Sequence, residues 1–210
     1  MCDWGSLHVR TGPMFCGKTT WLRESITRCV DSIYDSGLGL IINYEGDIRP
    51  GSEKNGFSTH TSQIIKNSPK VHTIKTKCLS TVDVSQYSYL ACDEVQFYPD
   101  AYDVVKKWLT LGKHVYCAGL DGTYQMEQFG EIHKLLPIAD TFEKLSAVCI
   151  DCVEELRKNN QPVIPDLIRA PFTYRIDSTP VQGNIDIGGL EKYTSLCGRH
   201  FKIREVKESK

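Results

Sequence analysis

The stretch Gly12 to Thr19, GPMFCGKT, fits the pattern G-x-x-x-x-G-K-[ST] in full and restricts the possible architectures more than any other feature of the chain. It follows a short apolar-alternating segment (Leu7, Val9). It opens a segment with helical spacing (Trp21, Leu22, Ile26, Val30). That is the strand–loop–helix setting a phosphate-binding loop requires. Gly12 and Gly17 allow a backbone curl in which successive N–H groups point inward at a polyphosphate. Lys18 can reach terminal phosphates, and the Thr19 hydroxyl can hold Mg2+. A chance glycine-rich turn before a helix is the bland alternative, and the flanking pattern argues against it.

Downstream, GLGLIINY (Gly37 to Tyr44) reads as a buried strand and Val71 to Ile74 as a short one. The polar stretch Glu45 to Ser68 between them is expected to be a long loop, which inside a folded domain is usually functional or disordered. Tyr87 to Cys92 reads as a strand ending in Asp93-Glu94, with a helical pattern starting at Pro99. Strands are further expected at Lys113 to Ala118, before the turn Leu120-Asp121-Gly122, and at Phe142 to Val148. Strands alternating with helices predict an α/β fold: a mostly parallel, RecA-like sheet with helices on both faces. Past Val148 the periodicity fades, and prolines occur at Pro162, Pro165, Pro171 and Pro180. The expected organisation is a catalytic domain over 1–146, a small zinc-binding domain over 147–203 and a flexible tail over 204–210.

Asp93-Glu94 at a strand end is where ligands of open α/β sheets bind. Asp93 is a candidate Mg2+ partner and Glu94 a candidate general base. The base could activate water, as in a helicase-type ATPase, or take a proton from a substrate hydroxyl, as in a small-molecule kinase. A solvated acidic turn is the rival reading. Cys149-Ile-Asp-Cys152 and Cys197-Gly-Arg-His200 are two knuckles with 44 residues between Cys152 and Cys197. Four such ligands suit one closed, structural Zn2+ site. A redox pair at Cys149/Cys152 is disfavoured because no suitable helix start is seen after Cys149. The chain has nine cysteines, an odd number, and no segment resembling a secretory leader. Cys2, Cys16, Cys29, Cys78, Cys92 and Cys117 are therefore expected to be reduced thiols. The net charge of −1 and the absence of a long apolar run predict a cytoplasmic protein that binds neither nucleic acid nor membrane.

With these residues in place, the sequence resembles the type II, zinc-containing thymidine kinases. The matching motifs are GPMFCGKTT at Gly12, DEVQFYPD at Asp93, GLDGTYQMEQFG at Gly119, AVCIDC at Ala147 and IGGLEKYTSLC at Ile187. The resemblance implies transfer of the γ-phosphate of ATP to the 5′-hydroxyl of thymidine. It implies that Gly12, Pro13, Met14, Phe15, Cys16, Gly17, Lys18, Thr19, Thr20, Asp93 and Gln96 handle Mg2+-ATP. Glu94 would be the base, with Lys18 and Arg49 (from Asp47-x-Arg49) stabilising the transferred group. Met14, Phe97, Tyr124 and Phe129 would line the thymine slot. Thr173, Ile187, Gly188 and Tyr193 would belong to a lasso closing over the nucleoside, and a homotetramer is implied. Core packing is the competing reading for the three aromatic residues. Departures from the family pattern are Val95 after the base, Arg10 in the first strand, His200 in place of a fourth Cys, and an insert near Val153 to Arg169 of no assigned role. Two other classes are carried forward. One is a nucleic-acid-stimulated P-loop ATPase with a zinc knuckle; the other is a nucleotide-sensing module with vestigial turnover.

Overall fold

Residues alternate strictly between two apolar layers along the central strands. In β2 (Leu38–Tyr44), Leu40 and Ile42 face one layer and Ile41 the other. In β4 (Tyr87–Cys92), Leu90 and Cys92 face the first layer and Ala91 the second. In β5 (His114–Gly119), Val115 and Cys117 take the first and Ala118 the second. A strand with both faces apolar must be covered on both sides, as in parallel sheets. The computed structural model describes residues 4–32, 37–47, 68–177, 179 and 187–208. In it, β1 (Ser6–Thr11), β3 (Val71–Thr76) and β6 (Thr141–Lys144) join these strands in a six-stranded sheet, ordered β3-β2-β4-β5-β1-β6. Every pairing in that sheet is parallel. The molecule therefore has the α/β fold expected.

Helix α1 (Lys18–Val30) covers the second layer through Leu22 and Ile26, one helical turn apart and both fully buried. Burying each side chain contributes about 1.5–3 kcal/mol, and Ile26→Ala would cost about 2–5 kcal/mol. Helix α2 (Ala101–Thr110) covers the first layer through Val105, Trp108 and Leu109. Its predecessor Asp100 turns its carboxylate away from α2, accepting from the N–H groups of Leu79 and Ser80 at 3.2 and 2.8 Å.

Three expectations are corrected here. The predicted strand over Phe142 to Val148 is two strands. β6 ends at Lys144, and β7 (Ala147–Val148) pairs with β8 (Arg169–Ala170) in a separate two-stranded sheet. Leu145 donates its N–H to Thr11 O at 2.8 Å, which ties the break back to the end of β1. Second, helix α3 (Ile150–Lys158) begins directly after Cys149, where no suitable helix start was anticipated. Third, residues 204–208 are not a flexible tail. Helix α4 runs Gly198–Glu208, with Phe201 buried and Arg204 donating to both Asp151 carboxylate oxygens at 2.9 and 2.6 Å. A last antiparallel pair, β9 (Phe172–Arg175) with β10 (Tyr193–Leu196), lies between the zinc-type residues and the phosphate loop.

Val95 is fully buried in the main core, so its extra bulk is absorbed by packing. Arg10 is half-exposed, paired with Glu143 at 2.8 Å and lying 4.8 Å over the Trp21 ring, which explains how a cation is accommodated in β1.

Candidate functional site

β1, β5 and β4 are neighbours, so their carboxyl ends bring together the phosphate loop, the Leu120 turn and Asp93-Glu94. The loop leaves β1 at Gly12, whose φ of 142° and close neighbour demand glycine: a Cβ there would sit 2.6 Å from Leu145 O. Phe15 is left-handed (φ 64°), and Gly17 caps α1 in the same region. Gly12, Pro13, Met14 and Lys18 are buried, while Phe15, Cys16, Thr19 and Thr20 are partly exposed. The Lys18 ammonium donates to Pro13 O at 2.6 Å and Gly12 O at 3.1 Å, and lies 3.5 Å from Cys16 Sγ. It is thus held along the loop it is expected to serve. The packing of α1 on the sheet also brings in Arg23, one turn past Thr19 and buried. Burial lowers the pKa of its guanidinium, and the nearby Asp93 carboxylate opposes that shift.

Asp93 is buried; its N–H donates to Ile42 O at 2.9 Å, and its Oδ1 accepts from Glu94 N at 3.0 Å. Glu94 adopts the left-handed conformation, φ 54° and ψ 44°. For a non-glycine residue that costs on the order of 1–3 kcal/mol and persists only where neighbours enforce it. Gln96 holds the Glu94 carboxylate. Its Nε2 donates to Glu94 Oε2 at 2.6 Å, and its Oε1 accepts from Leu120 N at 2.9 Å. Gly130 follows Phe129 with φ 58°, and a Cβ there would lie 2.0 Å from Gln96 O. Gln96, one of the residues expected at the ATP and Mg2+ site, thus links the Glu94 carboxylate to the Leu120 turn.

Phe97 and Phe129 meet edge-to-face at 5.3 Å, and Tyr44 stacks on Phe97 at 4.8 Å. Tyr44 escaped the sequence reading because it closes an apolar strand without a motif of its own. Tyr124 lies 5.8 Å beneath the Arg175 guanidinium. Among lasso residues, Tyr193 donates its N–H to Gly189 O, and Ile187 O accepts from Lys192 Nζ at 3.3 Å. Gly188 is buried against the Lys192 stem. Arg49 lies outside the described residues.

Thr173, expected in the same group, contacts the phosphate loop. Its hydroxyl accepts the N–H of Met14 at 3.1 Å, while Ser195 donates its hydroxyl to Met14 O at 2.6 Å. Thr173 and Ser195 are directly opposite on β9 and β10, and both are buried. One cross-strand pair thus holds both polar main-chain atoms of one phosphate-loop residue. Ser195 had no motif to reveal it, since the contact depends on strand register.

Cys149, Cys152, Cys197 and His200 gather with their ligand atoms all within 4.8 Å of one another. A tetrahedral Zn2+ with Zn–S of about 2.3 Å and Zn–N of about 2.0 Å places sulfurs about 3.8 Å apart and sulfur–nitrogen pairs about 3.5 Å apart. Here Cys152 and Cys197 Sγ are 3.8 Å apart, and His200 Nδ1 lies 3.3–3.5 Å from the three sulfurs. The donor set fits Zn2+, and the thiols are free rather than bridged. At Cys197 burial pushes the thiol up, but bonds from the His200 N–H and neighbouring groups outweigh it and bring it down to about 7. The core beneath the cluster includes Tyr174, Leu196 and Phe201, and Cys16 of the phosphate loop packs against it. Among the described residues no helix is long and apolar enough to cross a membrane.

Comparisons with known proteins agree with this geometry. The family model described as thymidine kinase matches residues 5–201. The chain is similar to the thymidine kinase of Myxoma virus (strain Uriarra), 31% identical over 198 residues, covering 94% of this chain and 96% of that protein. It is similar to the cytosolic thymidine kinase of Bos taurus, 33% identical over 197 residues, covering 92% of this chain and 70% of that one. The corresponding human protein is 34% identical over 197 residues, covering 92% of this chain and 71% of that one. A phosphate loop, an acidic strand end and a Cys3His cluster in this arrangement, matched over nearly the whole chain, place it in the thymidine kinase family.

Proposed function

We propose that the protein is an ATP:thymidine 5′-phosphotransferase that makes dTMP. The observation that carries the reading is Glu94, its carboxylate held by Gln96 and its backbone in a costly left-handed conformation, at the same sheet edge as the phosphate loop. A solvated acidic turn would have no reason to keep that strain. Thr19, with help from Asp93, would hold Mg2+, which would supply charge neutralisation on the phosphates. Glu94 takes the proton of the 5′-hydroxyl, whose oxygen bonds to the γ-phosphorus. The bond to the β-phosphate oxygen breaks, and ADP leaves with the electron pair. Lys18 and Arg49 stabilise the charge spread over the transferred group.

The nucleoside is read by shape and by main-chain groups. The ring edge of thymine offers one N–H between two carbonyls, which a peptide backbone can pair directly. Cytosine reverses part of that pattern and leaves buried groups unpaired, costing on the order of several kcal/mol. Phe97 and Phe129, with Met14, would flank the base, and the segment from Ile187 to Tyr193 would close over it. Zn2+ at Cys149, Cys152, Cys197 and His200 would be structural, since four protein ligands leave no open position. The relatives named cytosolic thymidine kinase support a cytoplasmic location. A homotetramer is the assembly implied, measurable by sedimentation. Nothing favours a nucleic-acid-stimulated ATPase.

The decisive test is product analysis after incubation with labelled ATP and each of the four deoxynucleosides. Phosphate on thymidine is expected; ATP hydrolysis without a phosphorylated nucleoside would refute the assignment. Glu94→Gln should lower kcat by about 10²–10⁴-fold with little change in nucleoside affinity. Equal kcat in the two proteins would exclude Glu94 as base.

A further inference from the structure

The insert near Val153 to Arg169 carries a carboxylate aimed at the metal-type cluster. Cys152 and Glu155 are three residues apart on α3 and therefore share a face. Glu155 Oε1 lies 3.2 Å from His200 Nε2. The same ring presents Nδ1 to the sulfurs of Cys149, Cys152 and Cys197. An imidazole that gives Nδ1 to a metal must carry its proton on Nε2. That proton needs an acceptor. Arg199 Nη2 is also near Nε2, at 3.1 Å, but a guanidinium only donates and cannot take it. Glu155 is the group that can, and Arg199 pairs with its other oxygen.

We propose that Glu155 is a positioning residue for the metal centre. It accepts Nε2–H of His200, fixes the ring's tautomer and orientation, and so makes histidine an adequate fourth ligand where the family pattern has cysteine. Carboxylates behind metal-bound histidines commonly govern affinity in this way. Helix α3 thereby delivers a ligand, Cys152, and the support for a second ligand on α4. The Asp151–Arg204 pair holds the two helices in register for that purpose. The proposal rests on the cluster holding Zn2+.

The test is Zn2+ affinity by competition with a chromogenic chelator, with circular dichroism melts at saturating Zn2+ to verify folding. Glu155→Ala should weaken binding by about 10-fold, the low end for such groups because the carboxylate is half-exposed. Glu155→Gln, which keeps an acceptor oxygen, should recover part of that loss. In a His200→Cys background Glu155→Ala should change nothing, since a thiolate has no N–H to offer. Imidazole 15N shifts of the Zn2+-loaded protein should report Nδ1 bound and Nε2 protonated. An equal loss in both backgrounds, or no loss in either, overturns the role of Glu155. Failure of the unaltered protein to bind one Zn2+ per chain overturns the metal reading with it.

Discussion

Ser195→Ala tests whether the phosphate loop depends on the β9–β10 ribbon. The change removes the only hydroxyl donating to Met14 O among the described residues, at a buried contact of 2.6 Å. Leaving that carbonyl without a partner costs about 1–3 kcal/mol. In a chain of 210 residues each kcal/mol shifts Tm by about 2–4 °C, so a fall of about 2–12 °C is expected. Thr173→Val removes the acceptor for Met14 N–H and should cost a similar amount. Both hydroxyls act on one residue, so the double variant should cost less than the two losses added. A loosened loop also grips phosphates less well, so KM for ATP should rise in Ser195→Ala more than KM for thymidine. Ser195→Thr, which keeps the hydroxyl, should restore both. The assays are thermal melts with and without Mg2+-ATP and steady-state kinetics. A Tm within about 1 °C of the parent, with KM for ATP unchanged, would refute the clamp.

Cys149→Ser should abolish retention of Zn2+ and lower Tm; at a thousand-fold excess over Kd the linkage is about 4 kcal/mol, or about 8–16 °C. Metal retained at an unchanged Tm would contradict the site. Burial alone would raise the carboxyl of Asp100, but bonds from the Cys78 thiol and the Ser80 and Leu79 N–H groups more than reverse this and hold it below its ordinary range. Its contribution is therefore complete at neutral pH and is lost as pH falls below about 3.9 and through the lower folded value. Asp100→Asn should lose about 1 kcal/mol at pH 7 by urea unfolding, with the gap narrowing in acid; a gap independent of pH would count against it. The Tyr98 hydroxyl is buried with no hydrogen-bond partner among the described residues, so Tyr98→Phe should leave stability unchanged or raise it by about 1 kcal/mol; a clear loss would reveal a partner.

The sequence made legible what is encoded locally. The phosphate loop, the acidic strand end and the two knuckles are each a few adjacent residues with fixed spacing, and the apolar runs of β2, β4 and β5 are visible without knowing their neighbours. What it hid depends on distant partners. Phe142 to Val148 reads as one strand, and only pairing to β1 on one side and β8 on the other divides it. The end of helix α4 reads as a solvated tail because its buried residues, His200 and Phe201, lie in its first turn and its main polar tether is on another helix. Gln96 falls inside a recognised motif, yet its bond from Leu120 N depends on the turn after β5. Glu155 sits in an insert that no motif describes, and the geometry of His200 supplies its meaning.

The break at Leu145-Ser146 has a mechanical consequence. The same carbonyl that marks the changeover from the central sheet to the zinc-type unit sits where a side chain on Gly12 would intrude. Any swing of the C-terminal unit about this two-residue joint must pivot against the first residue of the phosphate cradle. Lengthening the joint by one residue would therefore disturb the loop at Gly12 directly.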